Sequence, residues 1–533
     1  MVDSRLVRNE ASDKDGNRQG DGRWRRRDLL VGGAVAGLAG LSGAGVIGYA
    51  WPHPRARATS APATPAPSAP TAAPRPVTPM VDTFVSSDLQ PPSLSVSVLG
   101  SPDGIPPYIF LGNKPYKGTG VGQSGLLIAR RDGDVAWFSP VSDGQVLNFN
   151  VQSYKGKPVL TWWHGSTGAS YGKGTCYVAD SSYSLIATIK GGNGLMPDMH
   201  EFNLTDQGTA LVDAYRVHTA DLSPLGGKAK GTIVSGVVQE IDIATGDIVY
   251  EWDSFDHVPV TETKDDFFGG TPDTPFDYFH INSIAVAPDG DLLVSSRHTW
   301  TVYKIGRRDG KIRWRLGGKK SDFTIGPGAG FQWQHHVRAH GTDLLTIFDN
   351  ASSPPEAAQS RGLILRLDTP NMQTTLVRAF TNPAGGLLAD NQGSMQLLPG
   401  NRAFVGWGAQ PYFDEFDADG SVLLSGHLPI GDQSYRTFTG DWAGHPKDKP
   451  AIVVVPNPAR GVAAYVSWNG ATEVASWRLS AGKRESALDV VASLPKAGFE
   501  TVIPANTTGP YFAVTAHDSS GTVIGQSAAV RSS

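Results

Sequence analysis

Residues 280–296 read HINSIAVAPDGDLLVSS, and residues 335–350 read HHVRAHGTDLLTIFDN. Each is an apolar strand, a turn containing Gly and Asp, and a second apolar strand. Two more stretches share this register: His200 opens HEFNLTDQGTALVDAY and Gln392 opens QGSMQLLPGNRAFVGW. The openers lie 80, 55 and 57 residues apart, so each belongs to a different repeat. A second mark falls between them, in GDVAW (133–137), GDIVYEW (246–252), GKIRW (310–314) and GSVLL (420–424). Its glycines are separated by 113, 64 and 110 residues, close to two, one and two units of about 55–60 residues, the spacing of long propeller blades. Across 85–445 this predicts six blades. Equivalent openers on inner strands would then meet around one central channel.

The chain as a whole fits an all-β protein. It has 533 residues, 40% hydrophobic, with 63 glycines and 38 prolines, and few runs with a helical period. That composition favours short strands and tight turns, with enough apolar chain for one large core or two smaller ones. The single cysteine, Cys176, rules out an internal disulfide and reads as a buried strand residue. Residues 1–57 carry ten Lys/Arg against six Asp/Glu, which leaves the rest near −8 of a total of −4. A mildly acidic body lacks the basic face that nucleic acid requires.

The N-terminal charge reports on targeting. Residues 1–22 are polar and expected to be a disordered cytoplasmic tail. Residues 23–51 have arginines at 23, 25, 26 and 27 before an uncharged run, Leu29 to Ala50, with seven glycines. This resembles a twin-arginine export signal, and the run is also long enough to span a bilayer. The expectation is an extracytoplasmic protein, secreted or anchored to the membrane by residues 29–50. Residues 52–79 hold nine prolines, and 52–84 reads as a Pro/Ala-rich tether. At the other end, residues 451–533 contain seven short strand candidates. They suit a small β-sandwich similar to fibronectin type III domains, with no titratable cluster.

The chemistry gathers at His200, His280, Arg297, His335 and His336. Zinc would prefer paired local spacing such as HExxH, which is absent, and Arg297 would repel a cation. No G-x-S-x-G elbow stands out, and GVGQSG (120–125) lacks the Lys and the strand-to-helix context of a P-loop. No cofactor or metal is therefore expected. What remains is covalent transfer through histidine. A neutral imidazole attacks a group such as sulfuryl, a second imidazole protonates the departing phenolate, and a guanidinium grips two of the oxygens. Adjacent strand residues face opposite ways, so only one of His335 and His336 points inward. The tryptophans at 162, 163, 252, 314 and 407 read as interblade core. Asp349 and Asn350 read as a turn or as the group that orients a histidine. His298 reads as a surface or turn residue, and ETKDDFFGG (262–270) as a solvated loop.

FHINSIAV (279–286), SSRH (295–298), WQHHVR (333–338), IFDN (347–350), WWHGSTGASYGKG (162–174) and PDMHEFNLT (197–205) together resemble the arylsulfotransferase family. The resemblance covers about 85–445. It implies a six-bladed propeller that moves sulfuryl between phenols without a nucleotide donor. It also implies that His335 is the transiently sulfurylated residue, His280 and Arg297 assist it, and His200 is a further channel histidine. The small-molecule partners implied are a phenolic sulfate donor and a phenol acceptor. The C-terminal sandwich departs from relatives that carry an N-terminal one. Two rival readings are a non-catalytic exported propeller binding a cell-surface glycan or protein, and a quinone-dependent dehydrogenase, for which no metal-ligand set is visible.

Overall fold

The computed structural model describes residues 80–532, apart from 102–103, 117, 169 and 458–460. The expected tail (1–22), the signal or anchor segment (23–51) and residues 52–79 of the tether lie outside the described residues. Among the described residues no helix is long and apolar enough to cross a membrane. Regular structure there is strand, with only four three-residue 3₁₀ turns.

Six sheets of four main strands follow one another along the chain. Their innermost strands, in spatial succession, are Asp432–Gly440, Gln145–Tyr154, Phe202–Leu204, Ile281–Val286, His335–His340 and Ser394–Leu398. Each inner strand's sheet touches the next, and the sixth touches the first, so the succession is cyclic and propeller-like. The first sheet takes its inner strand, Asp432–Gly440, from near the end of the cycle and pairs it with Tyr108–Pro115. The sixth sheet takes an extra outer strand, Ser95–Val98, from the beginning and pairs it with Val422–His427. The two ends of the cycle are thus tied by two separate ladders of backbone hydrogen bonds.

The repeat seen in the sequence has a single structural cause. Gly133, Gly246, Gly310 and Gly420 all occupy the turn that leads into the outermost main strand of a sheet, with φ of 91°, 79°, 68° and 91°. Glycine populates this left-handed region without steric cost. In the second and fifth sheets the same turn is made by Tyr183 (φ 62°) and Met372 (φ 48°). Those two repeats carry no glycine mark, which is why the spacing showed only four.

Middle strands are apolar, and neighbouring sheets bury them face to face. Between the fourth and fifth sheets Val302, Leu316, Val337, Ile347 and Leu363 form one core. Trp163, Trp252, Trp314 and Trp407 each sit in such a core. Inner strands are polar instead, and their buried side-chain amide nitrogens donate to the backbone of the next sheet. The side-chain nitrogen of Asn148 donates to Met199 O at 2.7 Å, that of Asn203 to Ile284 O at 2.7 Å, and that of Asn282 to Gln334 O at 2.6 Å. Gln396 does the same to Thr439 O at 2.9 Å and accepts from Thr439 N at 3.0 Å.

Beyond Gly440, two further sheets enclose their own core. One contains Ala451–Asn457, Gly461–Ser467 and Glu500–Ala505; the other contains Ser476–Arg484, Ala487–Pro495, Tyr511–His517 and Val523–Gln526. Val454, Val466, Trp477 and Phe512 meet between them. This pair of sheets docks on the first two sheets of the cycle. Asn469 brackets the backbone of Phe138 with bonds of 2.9 and 2.8 Å, and Tyr183 donates to Gly470 O at 2.8 Å. At Gly470 a Cβ would lie 2.5 Å from the Tyr183 ring, so only glycine fits.

Phe438 is buried in the closing inner strand, whereas Val377 is 48% exposed on the outermost strand of the fifth sheet. Phe438→Ala is expected to cost about 3–5 kcal/mol and Val377→Ala less than about 0.5 kcal/mol. Denaturant unfolding of the two variants, compared with the parent, measures both.

Candidate active site

His200 stands just before the inner strand Phe202–Leu204, His280 just before Ile281–Val286, and His335 begins His335–His340. Arg297 opens the turn after the strand Leu292–Ser296. The recognised motifs interlock through one amide. Gln334 receives the Asn282 amide on its backbone oxygen, and its own side-chain nitrogen donates to Ser296 O at 2.9 Å and Ser295 Oγ at 3.1 Å. Arg297 N donates to His280 O at 2.9 Å. These bonds hold the residues before His335 and Arg297 in one frame.

The structure brings all four expected residues together. The rings of His200 and His280 lie 4.8 Å apart, nearly edge to face. The Tyr435 ring stands 5.8 Å from His200 and 6.5 Å from His335. The Arg297 guanidinium lies 4.8 Å over the Trp333 ring. Its Nη1 donates to His298 Nε2 at 3.0 Å and its Nη2 to Asp390 O at 3.0 Å. Its Nε is buried without a partner, a donor aimed at no protein acceptor.

Each histidine is held at Nδ1. The carboxylate of Asp277 lies 2.6 Å from His280 Nδ1, and Asp198 holds His200 Nδ1 in the same way. Asn350 Oδ1 is 2.7 Å from His335 Nδ1. The Asn350 nitrogen donates to Ala389 O and Gln392 O, both at 2.9 Å, so its oxygen must face the imidazole. An acceptor at Nδ1 places the proton there and leaves the Nε2 lone pair available. His335 Nε2 accepts only a long bond, 3.2 Å, from Gln392 N.

The electrostatics set the Arg297 cation beside three imidazoles, His280, His298 and His335, whose charged forms are disfavoured. Burial, then Arg297, pushes the His335 pKa well below its ordinary value. Burial, then His200 and Arg297, does the same to His280. His298 is pushed down to about 3 by burial and then His280. Arg297 keeps some exposure, yet the protein packed around it lowers its pKa to about 10, so it stays charged at neutral pH. At rest, desolvation disfavours the charged form of His280.

His335 and His336 separate, not by regular strand alternation but at a β-bulge, where His336 takes the left-handed region with φ of 52°. His335 stays with the other site residues, whereas His336 bonds to the backbone of Met395 at 3.1 Å and lines a cavity elsewhere. Two further expectations hold only in part: His298 does lie in a turn, and residues 264, 266, 268 and 269 of the 262–270 loop are exposed. His298 is buried, with its ring 4.5 Å from His280. Strand alternation would have turned it away from Arg297, but residues 297–300 form a turn and the alternation ends there. Glu262 is not solvated: it is buried and bonded to Tyr303 Oη at 3.1 Å, with Lys320 at 3.2 Å and Arg315 at 3.4 Å. Tyr435, a site residue missed in the sequence, comes from the closing strand nearly a hundred positions beyond His335, with no motif to mark it.

Two trios bring ligand atoms within 4.8 Å of one another: Asp277, His280 and His298, and Asp198, His200 and Asp213. Either has donors suited to a divalent cation. In the first, His298 Nε2 already accepts from the Arg297 cation. In the second, burial and then Asp198 push the Asp213 pKa well above the carboxylate range, which disfavours its anionic, metal-ligating form.

The fold and motifs place the chain in a known class. Residues 150–427, more than half of the chain, match the arylsulfotransferase (ASST) family, and the chain belongs to that family. At the family level it is an aryl sulfotransferase. No curated protein matches its sequence. Among solved structures, it is similar to a protein of unknown function from Bacteroides caccae at 12% identity, covering 62% of this chain and 98% of that one, with a TM-score of 0.39. It is also similar to a catalytically inactive virginiamycin B lyase from Staphylococcus aureus, solved with Quinupristin, at 10% identity, covering 71% and 97%, with a TM-score of 0.33. Likenesses this distant carry no argument about chemistry.

The proton positions are directly measurable. A histidine lowered below its usual pKa of about 6.5 stays neutral as pH falls past that value. ¹⁵N NMR at pH 6 should therefore show His280 and His335 neutral with the proton on Nδ1. Asn350→Leu should mix the two tautomers of His335 and leave those of His280 unchanged.

Proposed function

We propose that the protein transfers a sulfuryl group from an aryl sulfate to a phenol through a sulfo-histidine at His335, without a nucleotide donor. The observation that supports this most is the neutral His335 with its proton fixed by Asn350 and its Nε2 lone pair beside the Arg297 cation. In the first half-reaction Nε2 attacks sulfur, an N–S bond forms, and the S–O bond to the ring breaks with its electron pair leaving on the phenolate. Asn350 accepts from Nδ1–H as the imidazole gains positive character. Arg297, stacked on Trp333 and carrying a free Nε–H, holds the sulfuryl oxygens.

The second half-reaction assigns His280 its part. Neutral at rest, with Nδ1–H on Asp277, it takes the acceptor phenol's proton at Nε2 while the phenol oxygen attacks sulfur and the N–S bond breaks. His335 returns to its starting form. The proton held on His280 is then available to the next departing phenolate, so the cycle balances. Binding of an anionic donor nearby also raises the His280 pKa and favours this protonated form. His200, against His280 and fixed by Asp198, positions that ring. The proposed setting is a six-bladed propeller with a C-terminal β-sandwich, exported and either secreted or held at the membrane by residues 29–50.

Aryl sulfate alone should release one phenol per enzyme and leave about +80 Da, the mass of SO₃, on a His335 peptide. His335→Ala should lose both burst and adduct. His280→Ala should lose about 10²–10⁴-fold, with the least loss for activated nitrophenyl donors. Arg297→Lys should be impaired for all donors alike. Because the nucleophile is neutral when active and its pKa is lowered, the acid limb of kcat/KM should fall below pH 6.5. An adduct on His336 would refute the assignment, and no transfer with any phenol would favour a binding propeller.

Export is tested separately. Replacing Arg26 and Arg27 together by Lys should block export if the twin-arginine pair is what is read. Unchanged export of this double variant would point to a general secretion signal or a simple signal-anchor.

A further inference from the structure

A cavity of about 150 Å³ is lined by His336 and not by His335. Its charged lining consists of Arg338, Arg436 and Glu201, with side-chain amides that include Asn148 and Asn150. Two guanidiniums face one carboxylate, so the lining side chains carry one positive charge in excess. Glu201 is the only acidic residue among the described lining. Burial, followed by Arg338, pushes the His336 pKa well below its ordinary value, and burial, followed by Arg338, pushes His340 down to about 4. Both imidazoles are therefore neutral and leave the excess charge unchanged.

Two lining groups are also buried without hydrogen-bond partners. Arg436 Nε is a donor and Asn148 Oδ1 an acceptor, on residues only 2% and 4% exposed. An unpartnered buried polar atom keeps its desolvation cost with nothing to offset it, and an uncompensated charge in low dielectric costs more. Both costs fall when a bound molecule supplies an anion for the guanidiniums and a hydroxyl or water for Asn148.

We propose that this cavity is a second ligand site, which takes the oxyanion of a small anionic molecule: a sulfate, phosphate or carboxylate group. Guanidinium suits such groups because its planar N–H donors match pairs of oxygens. The volume equals that of about five waters at roughly 30 Å³ each, room for one such headgroup with a water or hydroxyl beside it. Arg338 and Arg436 come from different sheets and are held in place by Glu201, at 2.9–3.0 Å and 2.9 Å, so the donors are set before a ligand arrives. The site stands apart from sulfotransfer at His335, and its test does not depend on that reaction.

The test is calorimetric titration of the whole chain with sodium sulfate, phosphate or acetate at ionic strength matched with chloride. It is run in Arg297→Ala, which removes the anion grip of the candidate active site. One anion per chain should bind, and the preference among the three names the headgroup. Adding Arg338→Gln or Asn150→Leu should weaken binding by about tenfold or more, as expected for loss of one strong hydrogen bond. Asn150→Leu keeps both arginines and Glu201, so it carries the test if Arg338→Gln does not fold. Loss of all anion binding in Arg297→Ala alone would assign the anion to the active site and overturn the proposal. Unweakened binding in Asn150→Leu would overturn it as well.

Discussion

Glu201 has no exposure to solvent, yet four of the six sheets meet on its carboxylate. It stands before the inner strand of the third sheet. Its oxygens receive Arg436 from the first sheet at 2.9 Å, Arg338 from the fifth at 2.9–3.0 Å, and the backbone nitrogen of Ile284 from the fourth at 3.1 Å. Burial alone would push this carboxyl up, but the two arginines outweigh it and hold the pKa below the ordinary value. Such a group stabilises the fold above the unfolded carboxyl pKa of about 4.3 and loses that contribution as pH falls through its lower folded value. Removing one partner of a buried pair costs about 3–5 kcal/mol, because the charge left behind is uncompensated.

This central knot divides the chemistry of the inner strands. Tyr435 and Arg436 are neighbours on the closing strand: the tyrosine ring stands against His200 and His335, and the guanidinium enters the cavity lined by His336. The histidine doublet splits the same way. One strand pair thus supplies both compartments, with burial lowering the pKa of His280, His298 and His335 in the candidate site and Arg297 kept as its cation.

Much of the architecture was legible in the sequence because turns are local. The glycines at 133, 246, 310 and 420 mark a conformation that glycine alone adopts freely, and they located four of the six sheets. Tyr183 and Met372 make the same turn without that signature, so two repeats had to be inferred from spacing. The openers His200, His280, His335 and Gln392 were readable for a similar reason, since a strand–turn–strand unit is written in consecutive residues. His298, placed in a turn, and Glu262, at the start of a largely exposed loop, were misread only in their burial. One lies in a turn where alternation fails, and the other is buried by residues distant in sequence, Tyr303, Arg315 and Lys320.

The sequence by itself determined the all-β class, the repeat, the residue types able to transfer a sulfuryl group, and the motifs shared with the arylsulfotransferases. Periodicity, turn chemistry and motif spacing are properties of short windows, and those windows were intact. Only the tertiary structure decided that His335 rather than His336 joins His200, His280 and Arg297. It also decided that Asn350, Asp277 and Asp198 fix the imidazole protons, and that Tyr435 and His298 complete the cluster. Proton position and pKa depend on which groups surround an atom once water is removed. Those neighbours come from four different sheets and become adjacent only when the cycle closes.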